Sequence, residues 1–245
     1  MHIILSGPTG HVGTGVLRYC LASPEVTRLS ILSRRDFPLP TGEGIGSQES
    51  RDHQYPSSLV EKLKGAHGCI WAQGISQSQV AKDEYIRITY DYPLAAAKAF
   101  STLSETDKFN FVYVSGEGAD PTEKTWTLFG KIKGRAEVAL RALPSTPAYN
   151  ALRIFNVRPG GVMASPGDER PGMGLPLRFG LTTAGSLLRV FAPSMISPTK
   201  ALSKVLVDLA IGDGSPLPAG TGIEDDGHLV RCVGVRRLGD AGRWD

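Results

Sequence analysis

Three glycines near the N-terminus have a spacing suited to phosphate binding. Gly7, Gly10 and Gly13 follow an apolar run, residues 1–6, and precede residues 14–20, whose pattern predicts a helix. A diphosphate binds backbone N–H donors at the positive end of a helix, where no side chain intrudes. We expect Gly7 to make the tight turn, Gly10 to let the backbone approach the diphosphate, and Gly13 to let the helix pack closely on the strand.

This loop therefore predicts a dinucleotide site, formed by Gly7, Thr9, Gly10, His11, Val12 and Gly13. The alternative is an ordinary strand-to-helix turn without a ligand. His11 faces the phosphates if it faces a ligand at all; otherwise it is an exposed loop residue.

A second group of candidate residues lies about 20 positions beyond the last glycine, where a dinucleotide fold reads the adenosine ribose. An acidic residue there would bind the ribose hydroxyl and repel a phosphate on it. This chain has Ser33, Arg34 and Arg35 instead, whose side chains suit charge-assisted hydrogen bonds to that phosphate. The sequence therefore predicts NADP(H) rather than NAD. Asp36 lies close by, and two solvated surface arginines are the alternative interpretation.

Composition excludes several other classes of protein. The 245 residues include 27 basic and 24 acidic residues, a net charge of +3 without a basic stripe, which argues against nucleic acid as a partner. Three well-separated cysteines match no metal-ligand spacing, so we predict no metal site and a reduced, cytoplasmic protein. No stretch approaches the ~20 apolar residues that cross a membrane.

Strand-like and helix-like segments alternate along the chain, which predicts an α/β fold with a doubly wound parallel sheet of the Rossmann type. We interpret residues 1–245 as a single domain, with 163–245 as a small, variable portion that covers the substrate. Gly74 ends a predicted strand and would leave room for the adenosine half of a dinucleotide, although a plain turn explains this glycine equally well. The strands are predicted at 1–6, 29–33, 69–74, 109–115 and 151–157, with a possible edge strand at 228–235. The helices are predicted at 14–20, 57–64, 83–103 with a kink at Pro93, within 123–143, and at 199–211; residues 37–56 are predicted to form a long loop.

The pattern resembles the extended and atypical short-chain dehydrogenase/reductases, including NmrA-like and nucleoside-diphosphate-sugar epimerase-like proteins. The resemblance spans about residues 1–162 and rests on GPTGHVG at 7–13, SRR at 33–35, VYVSGEGAD at 112–120 and FGKIKGRAE at 129–137. RPGG at 158–161 adds weaker support and implies cofactor contacts from Pro159 and Gly160.

Enzymes of this family use a Tyr-x-x-x-Lys motif, in which the tyrosine transfers a proton and the lysine holds the nicotinamide ribose. Matching FGKIK to that motif places Lys133 at the lysine position and Phe129 at the tyrosine position. The resemblance also implies a catalytic serine at Ser115, although the family often has it one residue later, where this chain has Gly116. The usual acid for carbonyl reduction is therefore missing. Six other side chains near the predicted strand ends are candidates for that role: Tyr90, Tyr92, Tyr113, Glu117, Lys131 and Tyr149.

Three functions are compatible with these features. The first is an NADP(H)-dependent oxidoreductase that acts on a small, fairly apolar metabolite, since apolar patches at 175–191 suit such a substrate. Without a proton donor, an iminium or a strongly activated double bond is an easier hydride acceptor than a neutral ketone. The second is a dinucleotide-binding redox sensor or regulatory protein, and the third is a non-redox isomerase or cyclase. We expect a small-molecule partner, and a homodimer is possible.

Overall fold

The computed structural model describes residues 1–33, 47–48, 55–104, 108–163 and 195–240. The strands in this part of the chain are β1 (His2–Ser6), β2 (Arg28–Leu32), β3 (Ser47–Gln48), β4 (Gly68–Trp71), β5 (Phe109–Val114), β6 (Leu152–Val157), β7 (Gly161–Met163), β8 (Ile196–Pro198), β9 (Ile223–Glu224) and β10 (Leu229–Val230). The α-helices are α1 (His11–Ala22), α2 (Ser57–Leu63), α3 (Lys82–Ile86), α4 (Tyr92–Phe100), α5 (Leu128–Ala142), α6 (Thr199–Ile211) and α7 (Cys232–Asp240).

The main sheet has the strand order β3-β2-β1-β4-β5-β6-β10-β9. Every pair is parallel except β10 and β9, which are antiparallel. The chain winds outward from β1 to β3 and then crosses to β4 on the other side of β1. Such a reversal leaves a crevice at the carboxyl ends of the strands, where ligands bind in doubly wound folds. The predicted Rossmann-type sheet is confirmed.

Helices cover both faces of the sheet, which explains why its central strands are buried and mostly apolar. Every residue of β1 and of β5 is buried. Ile3 and Val112 belong to a core cluster that includes residues of α1 and α6, whereas Ile4 and Phe111 belong to a second cluster with residues of α4 and α5. Successive residues of a strand thus pack on opposite sides, as the pleat requires.

The structure corrects three of the predicted elements. The loop predicted at 37–56 contains β3, which pairs in parallel with β2; a two-residue strand is too short to produce a periodic pattern. The segment predicted as an edge strand, 228–235, is divided between β10, which lies inside the sheet, and the start of α7. The helix predicted at 83–103 is interrupted by a π-helix, Arg87–Asp91, which precedes Pro93.

A small second sheet pairs β7 with β8 in parallel and follows directly after β6. The predicted apolar patches at 175–191 lie outside the described residues, and the single-domain assignment stays a prediction. None of the described helices is long and apolar enough to cross a membrane.

Candidate active site

A cavity of about 1010 Å³ lies at the carboxyl ends of the central strands. Eight of the predicted site residues line it: Gly10, His11, Val12, Gly74, Ser115, Lys133, Pro159 and Gly160. Gly7, Thr9, Gly13 and Ser33 are described but do not line the cavity, and Arg34 and Arg35 lie outside the described residues. The fold thus brings together residues from five separate segments of the sequence.

The glycine turn after β1 is shaped by close backbone contacts. Gly7 has a φ of +67°, and a Cβ there would lie 2.7 Å from the carbonyl oxygen of Ala72. A Cβ on Gly13 would lie 1.9 Å from the carbonyl oxygen of Gly7, so the first turn of α1 packs directly on the loop. The N–H of Gly10 donates to the carbonyl of Gly7 over 3.1 Å and closes the turn. Backbone atoms of the protein therefore leave no space for a side chain at position 7 or 13.

Helix α1 begins at the cavity with its N-terminus toward it. The N–H of Thr14 donates to the carbonyl of Gly10 over 2.9 Å, so the amides of residues 11–13 precede this bond at the helix end. His11 and Val12 line the cavity, and amides at a helix N-terminus attract anions. A Cβ on Gly74 would have no atom within 4 Å, so that glycine borders open space. These features fit the diphosphate of a dinucleotide.

His11 is tied to the second sheet. Its Nε2 lies 3.0 Å from the carbonyl oxygen of Val162 in β7, and the residue is half-buried. The alternative of an exposed loop histidine is therefore wrong, because β7 contacts the start of α1 across 151 sequence positions, which no local pattern indicates. His11 joins the two sheets at the cavity wall.

The segment after β5 has a different construction. Ser115 is buried, and its Oγ has no hydrogen-bond partner among the described residues. Its backbone N–H donates to the carbonyl of Val157 over 2.8 Å, which continues the pairing of β5 with β6. Ser115 thus lines the cavity with a buried hydroxyl that has no partner in the described chain, at a position where the resemblance implies a catalytic serine.

Gly116 and Phe129 occupy the two positions where the family usually has serine and tyrosine. A Cβ on Gly116 would lie 2.7 Å from Cζ of Phe129, so the ring fills the space that a side chain at 116 needs. The backbone N–H of Phe129 donates to the side-chain oxygen of Gln77 over 2.8 Å, which fixes this end of α5 to the loop after β4. The two substitutions are thus mutually compatible, and neither residue provides a proton.

Lys133 lies one helical turn beyond Phe129. Its Nζ donates to the carbonyls of Val114 and Ser115 over 2.7 and 3.2 Å and lies 5.1 Å from the ring centre of Tyr113. Burial lowers the pKa of its ammonium to about 8, although the nearby Glu137 carboxylate favours the charged form. Lys133 therefore lines the cavity while it holds the end of β5.

A network of ionised side chains forms another part of the cavity wall. Arg231 donates from Nε and Nη2 to Glu117, over 2.8 to 3.0 Å, and from Nη1 to Glu224 over 2.9 Å. Glu117 also accepts the N–H of Cys232, the first residue of α7, over 2.8 Å. Burial opposes ionisation of Glu117, but these bonds outweigh it and lower the pKa of the carboxyl, whereas they raise the pKa of Arg231.

Behind this wall, Arg158 and Glu137 form a buried bidentate pair, with Nε to Oε1 at 2.9 Å. The pair joins α5 to the end of β6 and lies outside the cavity lining. Of the six alternative proton donors, Glu117 alone lines the cavity. Tyr113 is buried in the core, where its hydroxyl donates to the carbonyl of Thr89 over 3.1 Å.

Comparison with known proteins agrees with this geometry. A short-chain type dehydrogenase/reductase from Mycobacterium ulcerans superposes with a TM-score of 0.66 at 13% identity, over 96% of this chain and 89% of that one. Leucinostatins biosynthesis cluster protein T of Purpureocillium lilacinum is 31% identical over 96% of this chain and 94% of its own length. The chain belongs to the same family as leucinostatins biosynthesis cluster protein T, and it has the fold of the short-chain dehydrogenase/reductases. The predicted resemblance is confirmed, and NAD(P) binding is typical of this fold.

Two further relatives match shorter parts of the chain. Botcinic acid biosynthesis cluster B protein 16 of Botryotinia fuckeliana is 39% identical over 59% of this chain and 96% of its own length. Protein FMP52, mitochondrial, of Saccharomyces cerevisiae is 24% identical over 66% of each chain. No family model matches the chain.

Proposed function

We propose that this protein is an NADP(H)-dependent oxidoreductase that acts on a small, fairly apolar metabolite. One observation carries the proposal: the glycine turn and the N-terminus of α1 meet the same cavity as Lys133 and Ser115. The first pair suits a diphosphate, and the second pair lies where the superfamily handles the nicotinamide ribose and the reacting carbonyl. A bound NADPH would supply a hydride there.

The chain's own residues have separate tasks in this proposal. Amides of residues 11–13 bind the diphosphate, and Arg34 and Arg35 bind the phosphate on the adenosine ribose. Lys133 holds the nicotinamide ribose, and the Ser115 hydroxyl orients the substrate. The cavity walls carry Val12, Ile75, Val162 and Val233, which exclude water from part of the reacting surface and favour an apolar substrate.

Two of the relatives are named for biosynthesis clusters, of leucinostatins and of botcinic acid. These names support a role in specialised metabolism. A third relative is named as mitochondrial, so the cytoplasmic location stays a prediction, as does the homodimer.

Calorimetric titration with NADPH, NADP and NADH tests the cofactor. We expect NADPH to bind more tightly than NADH, because two guanidinium groups contact the additional phosphate. Replacing Arg34 and Arg35 together by alanine should lower the affinity for NADPH by about 100-fold, given about 1.5 kcal/mol for each charge-assisted bond, and leave that for NADH unchanged. An unchanged ratio of the two affinities would refute the assignment of the arginines.

Nicotinamide absorbance, followed against a panel of aldehydes, enones and imines, tests the reaction. Turnover with any of these compounds supports the oxidoreductase. Tight binding without turnover favours a dinucleotide sensor, and absence of binding favours a cofactor-free isomerase or cyclase.

A further inference from the structure

The wall formed by Glu117, Arg231 and Glu224 holds more negative than positive charge. Its two carboxylates face one guanidinium, and all three residues line the cavity. Glu117 is the second residue after Ser115, so this wall begins beside the proposed reacting centre.

The guanidinium of Arg231 forms hydrogen bonds to the carboxylates of both Glu117 and Glu224. Nε and Nη2 of Arg231 are bonded to Glu117, and Nη1 is bonded to Glu224. Glu224 uses Oε1 for this contact, and its side chain is 49% exposed. Its second carboxylate oxygen makes no hydrogen bond to another described residue, so it remains able to accept one from a ligand.

An aromatic ring and a hydroxyl complete this part of the cavity. Phe129 lies against Gly116, immediately before Glu117 in the sequence. Ser115, which also lines the cavity, is 5% exposed, and its Oγ has no hydrogen-bond partner in the part of the chain that the structure describes. An aromatic face attracts cations, and a buried hydroxyl without a partner indicates a missing polar neighbour. Lys133 is positive, but its ammonium is bonded to the carbonyls of Val114 and Ser115.

We propose that this wall binds an organic cation, and that the substrate carries an iminium or a protonated amine. The proposal rests on the proposed oxidoreductase and specifies its substrate class. Carboxylates and an aromatic ring stabilise a positive charge, whereas a neutral ketone gains nothing from them.

An iminium substrate also accounts for the missing tyrosine. An iminium carbon accepts the hydride that NADPH supplies, its C=N π pair becomes the nitrogen lone pair, and the products are the amine and NADP⁺. The charges balance without a proton from the protein, so the reaction needs no proton donor at position 116 or 129.

Binding of two isosteric probes tests the proposal. The cation is meta-hydroxyphenyltrimethylammonium, and its neutral counterpart, meta-tert-butylphenol, has carbon in place of the charged nitrogen. We expect calorimetry on the full chain to show the cation binding about tenfold more tightly than the neutral probe. Glu224→Gln should weaken the cation by about fivefold and leave the neutral probe unchanged.

Glu123→Gln is the matched control, because Glu123 also pairs with an arginine, Arg135, but does not line the cavity. It should change neither affinity. Equal binding of the two probes, binding of neither, or an equal loss of both in Glu224→Gln would overturn the cation site. NADPH titration of the same samples judges the proposed function separately, because loss of cofactor binding would leave the probe preference intact.

Discussion

The glycine turn after β1 and the segment after β5 face the same cavity, but different forces shape them. Backbone atoms pack on backbone atoms in the turn, where Gly13 leaves no room for a Cβ. Side chains define the second segment, where the ring of Phe129 fills the space beside Gly116 and Lys133 bonds the end of β5. A site formed by backbone contacts keeps its shape when side chains around it are substituted. A site formed by side chains changes its shape and chemistry with each substitution. The cofactor site can therefore persist in a family while the reaction beside it diverges.

Gly13→Ala should have the largest effect of the substitutions that probe this comparison. Its Cβ would lie 1.9 Å from the Gly7 carbonyl oxygen, so α1 or the turn must move. We expect the free energy of unfolding to fall by at least about 3 kcal/mol and NADPH binding to be lost. Chemical denaturation and calorimetry measure the two effects. Gly74→Ala is the control, because its Cβ meets open space and stability should stay unchanged. A stable, cofactor-binding Gly13→Ala protein would contradict the backbone account of the turn.

Gly116→Ala should have a smaller effect, and one that depends on its neighbour. The new Cβ would meet Cζ of Phe129 at 2.7 Å, and a ring moves more easily than a main chain. We expect a loss of about 1–3 kcal/mol in unfolding free energy with Phe129 present. In a Phe129→Ala background the loss should shrink by at least about 0.5 kcal/mol, since the two residues touch. Denaturation of the four proteins of this cycle gives the coupling. An identical cost in both backgrounds would show that Phe129 does not fill this space.

The same contrast explains what could be predicted from the sequence. The glycine turn, its strand and its helix are contiguous, so their spacing predicted their geometry without knowledge of the rest of the chain. Lys133 and Phe129 were identified through the FGKIK motif, which is also local. Strand β3 could not be predicted because it has only two residues, and the π-helix before Pro93 covers only five residues inside a longer helical segment.

Contacts between distant segments could not be predicted. Arg231 and Glu117 are separated by 114 positions, and His11 and Val162 by 151. Glu117 was one of six candidates on sequence grounds, but Arg231 and Glu224 belong to a part of the chain without a recognisable motif. Their charges are ordinary surface charges until the pairing of β10 with β6 and β9 brings them to the cavity.

The titration of Lys133 should give the smallest of the three effects on the free energy of unfolding. Lys133 lines the cavity and bonds the end of β5. The pKa of its ammonium is lowered from 10.5 to about 8 in the folded protein, chiefly because burial disfavours the charge. Between those pH values the unfolded chain binds more protons than the folded chain, so the contribution of Lys133 to stability rises with pH. Relative to Lys133→Met, the wild type should gain about 1 kcal/mol of unfolding free energy from pH 8 to pH 10.5 after allowance for solvent screening. Urea denaturation at several pH values measures this difference, which also cancels the titration of other groups. Lys131→Met, on the same helix, is the control and should leave the pH dependence of the wild type in place. If the free energy of unfolding changed equally with pH in the wild type and in Lys133→Met, the ammonium would not be desolvated. The side chains at this end of β5 would then be packed less closely than the backbone of the glycine turn.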